Sequence, residues 1–191
     1  MATYNIPNLI SFFRILLVPC LVAIYFLPNS YLSLYEKDFI ATAIFILAAL
    51  SDWLDGYLAR RLNQTSKFGA FIDPVADKFI VITALILLVE LDRISALIGI
   101  IIIGREFVVS SLREWMATIG KSSGVAVAFI GKLKTVFQMI AIPCLLFAHN
   151  ISFIPIYIIG SWLINIAAIL TIVSMIFYLN KAMQSLKDEK Q

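Results

Sequence analysis

Two apolar runs, Phe39 to Leu50 and Phe79 to Val89, are each too short to cross a hydrocarbon core that takes about 20 helical residues. Between them lies SDWLDGYLARRLNQTSKFGAFIDPVADK, from Ser51 to Lys78, which carries Asp52, Asp55, Asp73 and Asp77. For either run to span, its helix has to continue into the aspartate-bearing turns, and both continuations then lie at the same side of the membrane. Helical periodicity gathers the acids further. On a 3.6-residue helix Asp52, Asp55, Gly56 and Ala59 fall within about a third of a turn of one another, and Gly69, Asp73 and Asp77 stack at i, i+4 and i+8. If the polar link from Arg61 to Phe68 lets the two helices pack antiparallel, four carboxylates face one small volume. Unit charges roughly 6 Å apart at an effective dielectric of about 20 repel by about 3 kcal/mol per pair, and four charges make six pairs. Such a cluster needs cations.

The rest of the chain fixes the class. Of 191 residues 61% are hydrophobic and 14% charged, and the mean hydropathy is +0.95, which excludes an ordinary soluble domain. The expectation is an all-α, polytopic membrane helix bundle in one domain over residues 1–191, since no linker, low-complexity tract or internal repeat divides it. About six spans emerge: Leu9 to Leu27, Phe39 to Arg60, Phe71 to Leu91, Ile94 to Met116, Val125 to Phe147 and Phe153 to Tyr178. The first lacks a basic leader and a small-residue cleavage site and contains Arg14, so it reads as a retained span and not a signal peptide. Basic residues set the orientation. Arg60, Arg61, Lys67, Arg113, Lys121, Lys181, Lys187 and Lys190 fall on the side of the N terminus, against Lys37 and Arg93 opposite, which puts both termini and the aspartates on the cytoplasmic side.

Cys20 and Cys144 lie in apolar helical sequence and read as buried structural cysteines. The lone His149 reads as an interfacial residue, because no second histidine or cysteine pair accompanies it to make a zinc site. A net charge of +3, without a basic stripe interleaved with aromatics, fits an anionic membrane surface and excludes a nucleic-acid binder. The tail from Lys181 to Gln191 reads as a solvated helix end.

Further charges, Arg14, Lys78, Arg105, Glu106, Lys132 and Lys134, sit in or beside apolar helices, where such residues face a polar cavity, neutralise a neighbour or snorkel. Lys132 and Lys134 are about 200° apart on a helix, so both cannot point squarely into one site. All-carboxylate donors favour hard divalent ions, Mg²⁺ or Mn²⁺, over zinc or copper. A pair of such ions would polarise phosphoryl oxygens and stabilise a departing phosphate. Gly56 and Ala59 leave room for a nucleotide or pyrophosphate, or simply for close helix packing.

The pattern D-x-x-D-G-x-x-A-R-x8-G-x-x-x-D-x-x-x-D, from Asp52 to Asp77, resembles the signature of the CDP-alcohol phosphotransferases, with every fixed position present. The segments NIPNLISFFR, GREFVVSSLREWM and GKLKT narrow the resemblance to the branch that forms phosphatidylglycerophosphate. The resemblance implies six membrane helices, a homodimer in the bacterial inner membrane, and condensation of CDP-diacylglycerol with glycerol 3-phosphate to release CMP. It implies that Asp52, Asp55 and Asp73 hold one divalent ion, that Asp52, Asp73 and Asp77 hold a second, and that Asp77 is the base for the attacking alcohol. It also implies CDP contacts from Gly56, Arg60 and Ser66, completed from the first helix by Asn8, Ser11 and Arg14. Arg105, Arg113, Lys132 and Lys134 are the candidates for the acceptor's phosphate, because a dianion beside an acidic site needs guanidinium or ammonium partners. Other readings stay open. The acceptor could be inositol phosphate, serine or phosphatidylglycerol; an intramembrane prenyltransferase also uses aspartates and Mg²⁺, though on motifs far apart in sequence; a transporter would place its charges near the midplane with repeat symmetry.

Overall fold

The computed structural model describes residues 6–62, 67–119 and 129–187. They form six helices: α1 (Ile6–Phe26), α2 (Leu34–Leu62), α3 (Lys67–Glu90), α4 (Ala96–Thr118), α5 (Phe129–Phe147) and α6 (Ile156–Lys187). The all-α expectation holds. Three stretches, Leu9–Phe26, Phe129–Phe147 and Ile156–Gln184, are long and apolar enough to cross a membrane by length and composition. The other three helices have 29, 24 and 23 residues, and at about 1.5 Å per residue each exceeds the ~30 Å of a hydrocarbon core. What keeps them from reading as plain spans is their charge, and that charge builds the sites described below.

The aspartate segment is helical as its spacing demands, since Asp52 and Asp55 lie in α2 and Asp73 and Asp77 in α3. Direct antiparallel packing of α2 on α3 is not what joins them. The two touch only slightly, and α1 packs extensively on both. Small and branched residues make this possible: Leu17, Val18 and Leu21 of α1 share a core with Ala41, Phe45 and Ala48 of α2 and with Ile80, Ala84, Leu85 and Leu88 of α3. α5 and α6 form the closest pair, and α6 also lies against α4. Gly160 is the reason for that closeness, since a Cβ there would stand 2.9 Å from both Cys144 Cβ and Leu145 Cγ.

The outside is apolar. Leu16, Phe26, Leu97, Ile100, Phe107, Trp162 and Ile169 are all exposed, the converse of a soluble protein and the surface that lipid covers. Cys20 belongs to this outer face and Cys144 is half-buried, both as free thiols. The expectation of two buried cysteines is therefore corrected for Cys20, because α1 turns that side outward while Leu17 and Leu21 face the core.

At the end away from the aspartates, a second polar cluster joins four segments. Asp38, fully buried at the start of α2, accepts hydrogen bonds from Tyr25 at 3.0 Å and from Arg93 at 2.6 Å, and its Oδ2 lies 3.1 Å from His149 Nε2. Arg93 also donates to the carbonyls of Leu145, at 3.1 Å, and Leu146, two of the orphan acceptors at the end of α5. His149 is thus more than an interfacial residue. Nearby, Lys37 donates to Leu27 O at 2.6 Å and to Asn29 at 2.7 Å, so the α1–α2 turn is closed from its own helix.

Candidate active site

Three aspartates meet around α1. Ser11, fully buried, donates to Asp73 Oδ1 at 2.6 Å, and Arg14, one turn on, reaches Asp52 Oδ1 at 3.3 Å and pairs with Asp77. Residues at i and i+3 of α1 therefore engage acids of both α2 and α3, which is how the wedge helix replaces direct α2–α3 packing. Pro74 stands between Asp73 and Asp77 inside α3, where it removes one helical hydrogen bond.

The acids line a cavity of about 420 Å³ with Arg14, Lys78, Glu106, Lys134, Thr135 and Gln138, on apolar walls that include Phe45, Leu85 and Ile103. Asp52 and Asp77 keep 57% and 42% of their side-chain surface exposed, so their oxygens are open to a ligand. Lys78 lines the cavity while donating to Ser110 Oγ at 2.7 Å, which ties α3 to α4.

A second cavity of about 390 Å³ lies beside the first and shares Glu106 and Thr135 with it. Arg105, Arg113, Lys132 and Tyr178 line it. Arg105 is only 7% exposed, and its Nε has no hydrogen-bond partner among the described residues. A buried guanidinium N–H left unsatisfied is costly, and a phosphate oxygen is a fitting acceptor for it. Tyr178, fully buried on α6, carries Arg105 over its ring at 5.6 Å and Arg113 at 5.2 Å, and its hydroxyl accepts from Arg113 at 3.2 Å. Both guanidinium groups thereby stand against one aromatic ring. Lys132 and Lys134 divide as their 200° separation requires. Lys134 is buried, pairs with Glu106 and faces the acidic cavity, while the exposed Lys132 lines the basic one.

The predicted site residues thus fall into two adjoining groups, Ser11, Arg14, Asp52, Asp73, Asp77 and Lys134 around the first cavity and Arg105, Arg113 and Lys132 around the second. Asn8, Asp55, Gly56 and Arg60 lie on helical backbone but their side chains are outside the described residues, and Ser66 is wholly outside them. Among the described residues no three His, Cys, Asp or Glu side chains stand close enough to cage a metal ion. The donors nevertheless fit a hard divalent cation in kind: Asp52, Asp73 and Asp77 offer only carboxylate oxygens to one open cavity, and among the described residues no His or Cys stands on its walls. Sequence reasoning missed Tyr178 and Gln138. Gln138 had a signal, a polar residue four positions after Lys134 on an apolar helix; Tyr178 had none, being one aromatic among many near the end of a span.

The chain was compared with known proteins. The family model for CDP-alcohol phosphatidyltransferase matches residues 4–176. A protein of Haemophilus influenzae is 47% identical over 190 residues, covering 98% of each chain. Proteins of Shigella flexneri and Escherichia coli are each 44% identical over 188 residues, 97% of this chain and 99% of theirs. All three carry the name CDP-diacylglycerol–glycerol-3-phosphate 3-phosphatidyltransferase. With the family matched over nearly all of its length and relatives this similar, the chain belongs to the CDP-alcohol phosphatidyltransferases, membrane enzymes that as a family work with divalent metal ions.

Proposed function

We propose that this protein, as one domain over residues 1–191, transfers the phosphatidyl group of CDP-diacylglycerol to glycerol 3-phosphate, giving phosphatidylglycerophosphate and CMP for phospholipid synthesis. The names of the full-length relatives support the pair of substrates. The observation that carries the reading is the shared wall: an acidic cavity suited to a metal-bound diphosphate adjoins a basic one suited to a second, separate phosphate. A neutral acceptor such as inositol or serine would have little use for Arg105, Arg113, Lys132 and Lys134.

The residues act as follows. Asp52, Asp55 and Asp73 would hold one divalent ion and Asp52, Asp73 and Asp77 a second, Mg²⁺ or Mn²⁺, and these would supply neutralisation of the charge that builds on the phosphoryl oxygens and on the CMP leaving group. Asn8, Gly56, Arg60 and Ser66 contact the CDP moiety. Ser11 and Arg14, which touch the acids themselves, also orient Asp73 and join Asp52 to Asp77. The basic pocket fixes the acceptor's phosphate, so that its 1-hydroxyl lies in line with the β-phosphorus. Asp77 takes the proton of that hydroxyl as the oxygen–phosphorus bond forms and the bond to CMP breaks. The aspartate end and both termini face the cytoplasm of the bacterial inner membrane, following the bias of basic residues, and the working unit is a homodimer.

The test is CMP release by purified protein with Mg²⁺ and CDP-diacylglycerol, run against glycerol 3-phosphate, inositol phosphate, serine and phosphatidylglycerol. Release that depends on metal and is fastest with glycerol 3-phosphate is the expected result. A faster rate with another alcohol would reassign the acceptor.

A further inference from the structure

One polar group on the acidic cavity has no part in the reaction as derived so far. Gln138 is 4% exposed, and its Oε1 has no hydrogen-bond partner among the described residues. A glutamine buried in a helix bundle normally bonds to a neighbouring helix, because an unpaired amide in apolar surroundings is costly. Here the amide lines the cavity of Asp52, Asp73 and Asp77 and is set among apolar residues such as Phe45, Leu85 and Met139. Which of the amide's two ends stands at this position is an assignment and not an observation, so the group there is either an acceptor or a donor. A hydroxyl, which both donates and accepts, satisfies either assignment.

The position of Gln138 says which hydroxyl. It follows Lys134 by four residues on one face of α5, a rise of about 6 Å, and Thr135, next to Lys134, lines the basic pocket as well as the acidic one. Of the residues given to the CDP moiety, the described ones, Ser11 and Arg14, belong to α1, which does not touch α5. An acceptor whose phosphate lies in the basic pocket extends past Lys134 toward the aspartates, and its carbon chain comes beside Gln138. Within a three-carbon phosphate, the hydroxyl next to the reacting one is the group available there.

We propose that Gln138 is a specificity residue for the acceptor: its side-chain amide hydrogen-bonds the secondary hydroxyl of a vicinal-diol phosphate while the adjacent primary hydroxyl is presented to Asp77. This rests on the function proposed above and deepens it. The contact selects a polyol phosphate over a simple alkanol phosphate of the same length, and it fixes which carbon faces the aspartates.

The experiment compares glycerol 3-phosphate with 3-hydroxypropyl phosphate, which keeps the phosphate and the primary hydroxyl and lacks only the secondary one. CMP release is measured with purified full-length protein, Mg²⁺ and CDP-diacylglycerol. The wild type should prefer glycerol 3-phosphate in kcat/KM by about tenfold to a hundredfold, the discrimination expected when a buried polar group is left unpaired. Gln138→Met, close in shape and without the amide, should bring the two acceptors to within about threefold of each other, with KM for CDP-diacylglycerol unchanged; a purely structural role would lower both rates and preserve their ratio. Equal use of both alcohols by the wild type overturns the inference, as does a ratio that survives in Gln138→Met. Should the methionine variant fail to fold, the wild-type ratio decides alone. Wild type that releases no CMP with either alcohol overturns the proposed function, and this inference with it.

Discussion

The bundle buries acid and arginine at both ends, and the ends differ in what is left over. Asp38 is completely enclosed, with Tyr25, Arg93 and His149 around its two oxygens. Arg93 in turn divides its donors between Asp38 and the end of α5, so the charges there are consumed in tying together α1, α2, the α3–α4 link and the α5–α6 link. At the other end Arg14 serves Asp52 and Asp77 together, both partly exposed to a cavity. Two carboxylates sharing one guanidinium, with Asp73 beside them on Ser11, leave net negative charge in an open space, and among the described residues the Nε of Arg105 is an unspent donor next door. A buried ion pair is by itself poor evidence of function or of stability. The surplus of charge over partners, together with a cavity to hold a ligand, is what separates the working end from the structural one.

Two substitutions test that separation most directly. Asp77→Asn keeps the shape and removes the base, so turnover should fall about a thousandfold, roughly 4 kcal/mol of barrier, while the protein still binds CDP-diacylglycerol and keeps its thermal midpoint. A large loss of stability instead would make Asp77 a structural acid like Asp38. Asp38→Ala should do the reverse. It strands Arg93 and His149 and should cost about 3 kcal/mol of stability, read as a lower thermal midpoint in detergent, with kcat of the surviving folded protein within about twofold of wild type. If Asp38→Ala spared stability and lost turnover, the two ends would have to exchange roles.

The sequence announced one end far better than the other, for a physical reason. Asp52, Asp73 and Asp77 repeat at helical spacing within one short stretch, so local periodicity alone puts them on inward faces. Asp38, Arg93 and His149 come from three separated segments and meet only through tertiary packing; in sequence Arg93 reads only as a basic residue of a link and His149 as an interfacial residue, and nothing singles out Asp38. The same limit hid the wedge of α1. Spacing gave the faces of α2 and α3, whereas the fact that Ser11 and Arg14 stand between them depends on small core residues such as Ala41, Ala48 and Ala84. The basic residues Arg105, Arg113 and Lys134 were recognisable because charge is rare in apolar helices, but Tyr178, which orders two of them, was indistinguishable from the aromatics that face lipid.

Smaller effects sharpen the same contrast. Gly160→Ala should press a methyl into Cys144 Cβ and Leu145 Cγ, with the Leu145 backbone 3.2 Å away, at the turn of α5 whose carbonyls Arg93 holds. A cost of about 2 kcal/mol is expected, seen in thermal unfolding with little change in KM for either substrate. Arg105→Ala acts at the other end and should raise KM for glycerol 3-phosphate about tenfold, a difference of about 1.4 kcal/mol, while CDP-diacylglycerol binding stays near wild type. Equal weakening of both substrates would show that the basic pocket does not belong to the acceptor.

The smallest expected effect contrasts two acids of one helical turn. Glu36, two residues before Asp38 and exposed, accepts from Ser33 N and Ser33 Oγ, both at 2.8 Å, and its own N–H lies 3.4 Å from Ser33 Oγ, a reciprocal cap on the start of α2. The Ser33 side-chain bond, and then its backbone bond, hold the Glu36 carboxyl below the ordinary glutamate range. A carboxyl lowered in the folded state stabilises it above the unfolded value, about 4.3 for glutamate, and that increment fades as pH falls through the lower folded value. Wild type should therefore lose slightly more stability than Ser33→Ala on acidification below about pH 4, because the variant has no side-chain cap left to lose. Parallel acid curves for the two proteins would mean that the cap carries no proton-linked stability, and that at this end only the enclosed acid, Asp38, matters.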